Sequence, residues 1–145
     1  MNIFILDNSP EIAAQMLFDK HVVKMALETA QILSTINGGP YKSTHINHPC
    51  TKWASEFRDN YDWLVKHGIS ICQEYTYRYN KEHKCEEVIY ALLEPLVEIP
   101  LGVSDFVQCM LPEFRNENPI KAYRDYYKSK SSFATWTKRN PPDWW

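Results

Sequence analysis

No apolar run in this chain reaches the roughly 20 residues that a membrane-spanning helix needs. The opening MNIFILD has no basic n-region and only a short apolar core, so it does not read as a signal peptide. There is no Cys-x-x-Cys. Cys50, Cys72, Cys85 and Cys109 are widely spaced, and without a secretion signal free thiols in a reducing cytoplasm are expected rather than disulfides. A basic surplus is also missing. The formal net charge is -2 and the pI about 6.2, whereas a duplex-DNA binder draws much of its affinity from neutralising phosphates. That balance favours a pocket for a small anionic ligand, which needs only a few cations. A Walker loop, GxGxxG, HExxH and GxSxG are absent, as are internal repeats and low-complexity tracts.

What is present reads as one all-α domain spanning residues 1–145. At 145 residues and 44% hydrophobic content the chain can bury a real core. NIFILD, residues 2–7, suggests a short strand or extended segment. Ser9-Pro10-Glu11 is a helix start, with Ser as N-cap and Pro at the first helical position. The pattern predicts one helix from there to about Ile36, ended by Asn37-Gly38-Gly39-Pro40. A second helix is expected from Thr51, carrying Trp53, Phe57, Tyr61 and Leu64 on one face, with a break or kink at Gly68 and a continuation to Asn80. A third is expected over 83–94. Residues 95–118 read as irregular, and Asn118-Pro119 opens a last helix. The aromatic tail ends in Trp144-Trp145, and two indoles predict a docked terminus rather than a frayed one.

FDKHVVKMALETAQ, residues 18–31, carries the chemistry. On a helical wheel His21, Lys24, Glu28 and Gln31 share an arc of roughly 80°, with Lys20 at its edge. Most other directions are apolar. A helix buried on most sides with one narrow polar arc presents that arc to a thin strip of solvent or to a cleft. In a cleft, Lys20 and Lys24 would attract an anion, His21 would exchange a proton near neutral pH, and Glu28 would act as base. Asp7 and Asp19 add carboxylates, Asp19 through local hydrogen bonds. His45, His48 and Cys50 form H-x2-H-x-C in a loop. The spacing matches no structural zinc pattern and lacks a fourth ligand, so no metal is expected and the histidines are read as pocket lining. Arg78 among three tyrosines and Arg124 near Tyr126 interleave cations with rings, which suits phosphate and base recognition.

DKHVVKMALETAQ, HPCTKWASEFRDNY, YRYNKEHK and AYRDYYKSKSSFATWTKRNPPDWW resemble a family of small tailed-phage proteins without a settled activity. That resemblance covers most of the chain and implies expression in the cytoplasm of an infected bacterium. The first long helix is also similar to that of the phage pyrimidine-dimer DNA glycosylases, compact all-α proteins with a D-x-H followed seven residues later by a catalytic Glu. Asp19, His21 and Glu28 have that spacing. The same resemblance implies a Schiff base formed by the α-amine of an N-terminal Thr. Here the second residue is Asn2, Leu27 stands where that family has Arg, and the basic charge is missing.

Three readings follow. The leading one is a phage protein that binds an anionic nucleotide-derived ligand through Lys20, His21, Lys24, Glu28, Gln31, His45, His48, Arg78 and Arg124. It would sequester a host immune signal of cyclic-nucleotide or ADP-ribose type, without a cofactor, and a homo-oligomer could close the pocket. The alternative is a DNA glycosylase/AP-lyase-like or nucleotide-modifying enzyme with His21 and Glu28 as acid–base pair and the Met1 amine or Lys24 as nucleophile; only this reading needs DNA as partner. The third is an inhibitor of a host protein acting through its aromatic surface.

Overall fold

The computed structural model describes residues 1–145. It contains six α-helices and no strand: α1 Pro10–Met16, α2 Asp19–Asn37, α3 Pro49–Glu56, α4 Arg58–Tyr79, α5 Glu86–Ala91 and α6 Pro119–Lys128. Two single 3-10 turns lie at Pro112–Phe114 and Ser131–Phe133. No helix is long and apolar enough to cross a membrane. The contacting pair α2 and α4 forms the centre, with α1, α3 and α5 against α4 and the amino-terminal segment part of the same core. That segment is extended without a partner strand, and Ile3, Ile5 and Leu6 are buried.

The caps predicted at Ser9 and Asn118 and the stop at Gly38 are in place, whereas α3 starts at Pro49 under a His48 cap rather than at Thr51. The Ser9 hydroxyl accepts from the Ile12 N–H, the Asn118 side-chain Oδ1 from the Ile120 and Lys121 N–H groups, and Gly38 ends α2 at φ 80. Two long predicted helices are each divided at an unexpected place. The first breaks at Leu17-Phe18, the second at Phe57 rather than at Gly68. In both cases oxygens from the carboxyl-terminal half take up amides that a new helix start leaves free. The Phe18 N–H donates to the Tyr127 hydroxyl (3.0 Å) and the Asp19 N–H to the Thr135 carbonyl (2.8 Å). The Arg58 and Asp59 N–H groups donate to the Pro100 and Gly102 carbonyls. Gly68, predicted as a breaker, lies inside a continuous α4. A Cβ there would sit 2.7 Å from the Thr29 Cγ2 and 3.2 Å from the Ile89 Cδ1, so glycine serves the close approach of α4 to α2 and α5.

Arg78 ties four segments together with no side-chain surface exposed. Its Nε donates to Glu74 (3.0 Å), one terminal nitrogen to Asp19 (3.1 Å) and the other to the Gln15 carbonyl (3.1 Å). Glu74 is also gripped from the tail by Arg139 through two bonds of 2.8 and 3.0 Å. Asp19 takes the Thr135 hydroxyl and both the N–H and hydroxyl of Thr137, partners more than 100 residues away rather than local ones. Burial works to raise the Asp19 pKa, but the bonds from Thr137, Thr135 and Arg78 outweigh it and hold the carboxyl below its usual range. The tail docks as predicted: the Trp136 indole N–H donates to the Met16 carbonyl (2.9 Å), and Trp145 packs on Trp136.

Replacing Arg78 leaves Glu74 and Asp19 buried or half-buried with fewer partners. Arg78→Ala is expected to lose about 3–5 kcal/mol in urea denaturation, the range for breaking a buried ion pair. His67 generates a second expectation. It is wholly buried, its Nδ1–H donates to the Pro10 carbonyl (3.0 Å), and burial pushes its pKa from 6.5 down to about 4. Between about pH 6.5 and pH 4 the unfolded chain binds a proton that the folded ring refuses. This group's contribution is therefore full above the unfolded pKa and falls as pH drops toward 4, by about 1.4 kcal/mol per unit. His67→Asn, whose amide can reach the same carbonyl, should lose that slope when unfolding free energies at pH 7.5 and 4.5 are compared.

Candidate active site at the amino terminus

Glu28 lies two turns into α2 and faces the start of the chain. Its Oε1 is 3.4 Å from the Met1 amine and accepts the Asn2 N–H at 3.2 Å. Its Oε2 is buried without a protein partner. The Met1 side chain is only 2% exposed, so what exposure the residue has belongs to its backbone end, the amine included. Asn2 pins this end in place. Its Nδ2 donates to the Cys109 carbonyl (2.6 Å), and its Oδ1 accepts the Ile3 N–H (2.7 Å) and the Phe4 N–H (3.3 Å). Phe4 adopts φ 57, a left-handed conformation uncommon for a bulky residue. The Asn2 oxygen and the stacking of Phe4 on His21 (4.3 Å between centroids) and Tyr126 (5.9 Å) hold it there.

His21 belongs to this aromatic cage. The Tyr127 hydroxyl accepts the Phe18 N–H and shares a hydrogen bond of 2.9 Å with the His21 Nδ1. Burial, then the charges of Lys130 and Lys24, push the His21 pKa from 6.5 down to about 3. That direction runs against the expectation that His21 exchanges a proton near neutral pH, and the ring stacks on Phe4 near the start of the chain.

His48 approaches from the other side. It caps α3, its Nδ1 accepting the Cys50 N–H at 3.1 Å. Its pKa is lowered by burial, by the Met1 amine and by His45, while Glu28 pulls the other way. Two cysteines complete the neighbourhood, with the sulfurs of Cys50 and Cys109 3.1 Å apart. The hydrogen bond between the thiols, together with burial, pushes the Cys50 pKa up. The same bond, against burial, lowers that of Cys109, helped by Tyr123, the Met1 amine and Arg115. Tyr123 sets the Cys109 backbone, accepting its N–H at 3.2 Å.

The remaining predicted residues do not converge on Glu28. Lys20 is exposed, with its ammonium 4.9 Å over Phe133, and Lys24 is exposed. Gln31 lines a shallow groove with Leu27, Tyr41 and Lys42. His45 is exposed and bonded to the Thr44 hydroxyl. Arg78 is spent on the core network, and Arg124 on the Leu6 carbonyl (2.8 Å) and Asp7 (3.1 Å), so neither is free for phosphate. The apolar far side of the predicted helix also needs correction, since Val23 and Leu27 are exposed. What the sequence reading missed is Asn2, Cys109 and Tyr127. Their sites depend on contacts across 26 to 109 positions, and no local pattern marks them.

A family model described as pyrimidine dimer DNA glycosylase matches residues 1–87 of the 145. The chain belongs to that family. No curated protein and no solved structure matches it. The matched segment holds Met1, Asp19, His21, Glu28, His48 and Cys50, whereas Cys109, Tyr123, Tyr127 and the docked tail lie beyond it. Membership supports the DNA-enzyme alternative of the sequence reading, not the leading one. The matched segment includes both the amine and the buried carboxylate that pair at the start of the chain.

The His21 ring is expected to stay neutral from pH 8 to pH 5, as its downward shift by burial requires. Nitrogen-15 NMR of labelled histidine checks this. A shift change centred near pH 6.5 for His21 would contradict the cage described here.

Proposed function

We propose that this protein is a DNA glycosylase with an associated lyase step, acting on a damaged pyrimidine nucleotide. The amino-terminal nitrogen is the nucleophile and Glu28 its proton acceptor. The observation that carries the reading is the Met1 amine 3.4 Å from Glu28 in a chain of this family.

An ammonium has no lone pair to offer, so a carboxylate within proton-transfer reach is what the chemistry requires. Glu28 takes a proton from the ammonium. The freed nitrogen bonds to C1′ of the damaged nucleotide, and the glycosidic bond breaks with its electron pair leaving on the base. The departing base takes the proton held by Glu28; Glu28 then removes a second proton from the bonded nitrogen and delivers it to O4′ as the C1′–O4′ bond breaks, which leaves a protonated imine on the amino terminus. The buried, unpartnered Oε2 leaves Glu28 an oxygen for the sugar or for a water. His21, Phe4 and Asn2 are positioning residues that hold the nitrogen against the carboxylate.

Asn2 stands where the enzymes this helix resembles carry Thr, but the geometry tolerates the difference. The Asn2 nitrogen is itself 3.2 Å from Glu28. An α-amine would face the carboxylate whether Met1 is retained or removed. DNA would be met by cations around this end, Lys24 and Arg115 exposed and Lys130 half-buried over the Phe4 and Tyr126 rings. Lys24 and Lys130 are close enough to depress His21, and Arg115 close enough to affect Cys109. The sequestration reading needs Arg78 and Arg124 free, and both are engaged internally.

Borohydride trapping tests the proposal. Incubation with a duplex bearing a pyrimidine dimer, and separately one bearing an abasic site, should yield a covalent protein–DNA adduct only when borohydride is present. Peptide mapping should place it on the amino-terminal residue and report whether that residue is Met1 or Asn2. Glu28→Gln should lower the yield at least about 100-fold, as loss of a positioned base does. Folded wild-type protein that traps on neither duplex would overturn the reading.

A further inference from the structure

The convergence of His48, Cys50 and Cys109 lies outside the chemistry just described. One ring nitrogen and two sulfurs, from the α3 cap and from the irregular segment after α5, all lie within 4.8 Å of one another. We propose that these three side chains form a binding site for Zn²⁺ beside the amino-terminal amine.

The donor set is that of zinc: two thiols that ionise on binding and one imidazole, with a fourth position open. Two thiolates neutralise the ion in a site that is largely closed to water. Cys50 is fully buried, while His48 and Cys109 are only half-buried and leave a path for entry. The ligands are also mounted for the task. Cys109 is fixed on both sides of its backbone, its N–H donating to the Tyr123 hydroxyl and its carbonyl accepting from the Asn2 side chain. Such outer contacts orient metal ligands. His48 already points its ring at Cys50, and coordination would replace the capping bond from the Cys50 N–H.

The sulfur separation distinguishes zinc from a disulfide. At 3.1 Å the pair must close by about 1 Å to bond covalently. Opening by roughly 0.7 Å gives the edge of a tetrahedron with zinc–sulfur bonds of about 2.3 Å. The site ties α3 to the segment carrying Cys109, a long irregular stretch that the sequence alone does not anchor.

The readout is metal content, so the outcome is independent of any reaction on DNA. Reduced full-length protein is mixed with one equivalent of ZnCl₂ in the presence of a chromophoric chelator, desalted, and assayed by mass spectrometry for zinc. One equivalent should be retained. Cys109→Ser and His48→Ala, checked for folding by circular dichroism, should each weaken zinc binding at least about 10-fold, whereas Cys72→Ala should not. Should a variant fail to fold, Co²⁺ on the wild type serves instead, with a thiolate-to-cobalt charge-transfer band expected. Reduced wild type that holds no zinc and shows no such band would overturn the proposal. So would zinc held equally by folded Cys109→Ser, or a Cys50–Cys109 disulfide in zinc-free protein purified without reductant from zinc-supplemented cells.

Discussion

A helix start leaves backbone N–H groups that something must take up, and this fold is built around two such starts in mid-chain. At Phe18-Asp19 and at Arg58-Asp59 the amides are met by oxygens of Tyr127, Thr135, Pro100 and Gly102. None belongs to the preceding helix. The carboxyl-terminal half is thus what permits two long amphipathic stretches to bend into four helices. Arg78 reinforces the same joint. It is a fully buried cation that meets α1, α2 and α4 at one point, with the tail added through Arg139 on the shared Glu74. Removal of any one partner strands the others in low dielectric, which makes the joint cooperative.

The site inherits its geometry from that joint. The break before Asp19 swings α2 so that Glu28 faces the amino-terminal segment. The hydroxyl that takes the Phe18 amide is the one that hydrogen-bonds the His21 ring. Phe4, held with positive φ between His21 and Tyr126, then brings the chain start to Glu28. A caged histidine and a carboxylate against an amine thus lie side by side where α2 meets the start of the chain. The two conserve no polar arc in the sense of a helical wheel: His21, Glu28 and Lys24 lie within one arc, yet the first two are buried and the third is exposed.

Much of the fold was legible locally. Helix content, the caps at Ser9 and Asn118, the stop at Gly38, the irregular stretch before Asn118 and the docked tryptophans all follow from neighbours within a few positions. Of the site, Glu28 and His21 stood out because polar groups interrupt an otherwise apolar pattern, and the spacing from Asp19 to Glu28 matched the family that residues 1–87 belong to. Roles were less legible than positions. A cationic pocket was expected from Arg78 and Arg124, but a wheel records direction and not partner. Both arginines are consumed by Asp19, Glu74, Asp7 and backbone carbonyls far away in sequence.

By itself, then, the sequence determined an all-α chain, where helices begin under their own caps, and which polar groups interrupt the apolar pattern of α2. These depend on side-chain period and on hydrogen bonds spanning two to four residues. Tertiary structure alone decided where the long helices break, that His21 stays neutral, that the Met1 amine meets Glu28, and that Cys109 joins His48 and Cys50. Each of those results from burial or from a partner 26 to more than 100 residues away. No local pattern encodes such a distance, because the free energy that selects it belongs to the packed whole.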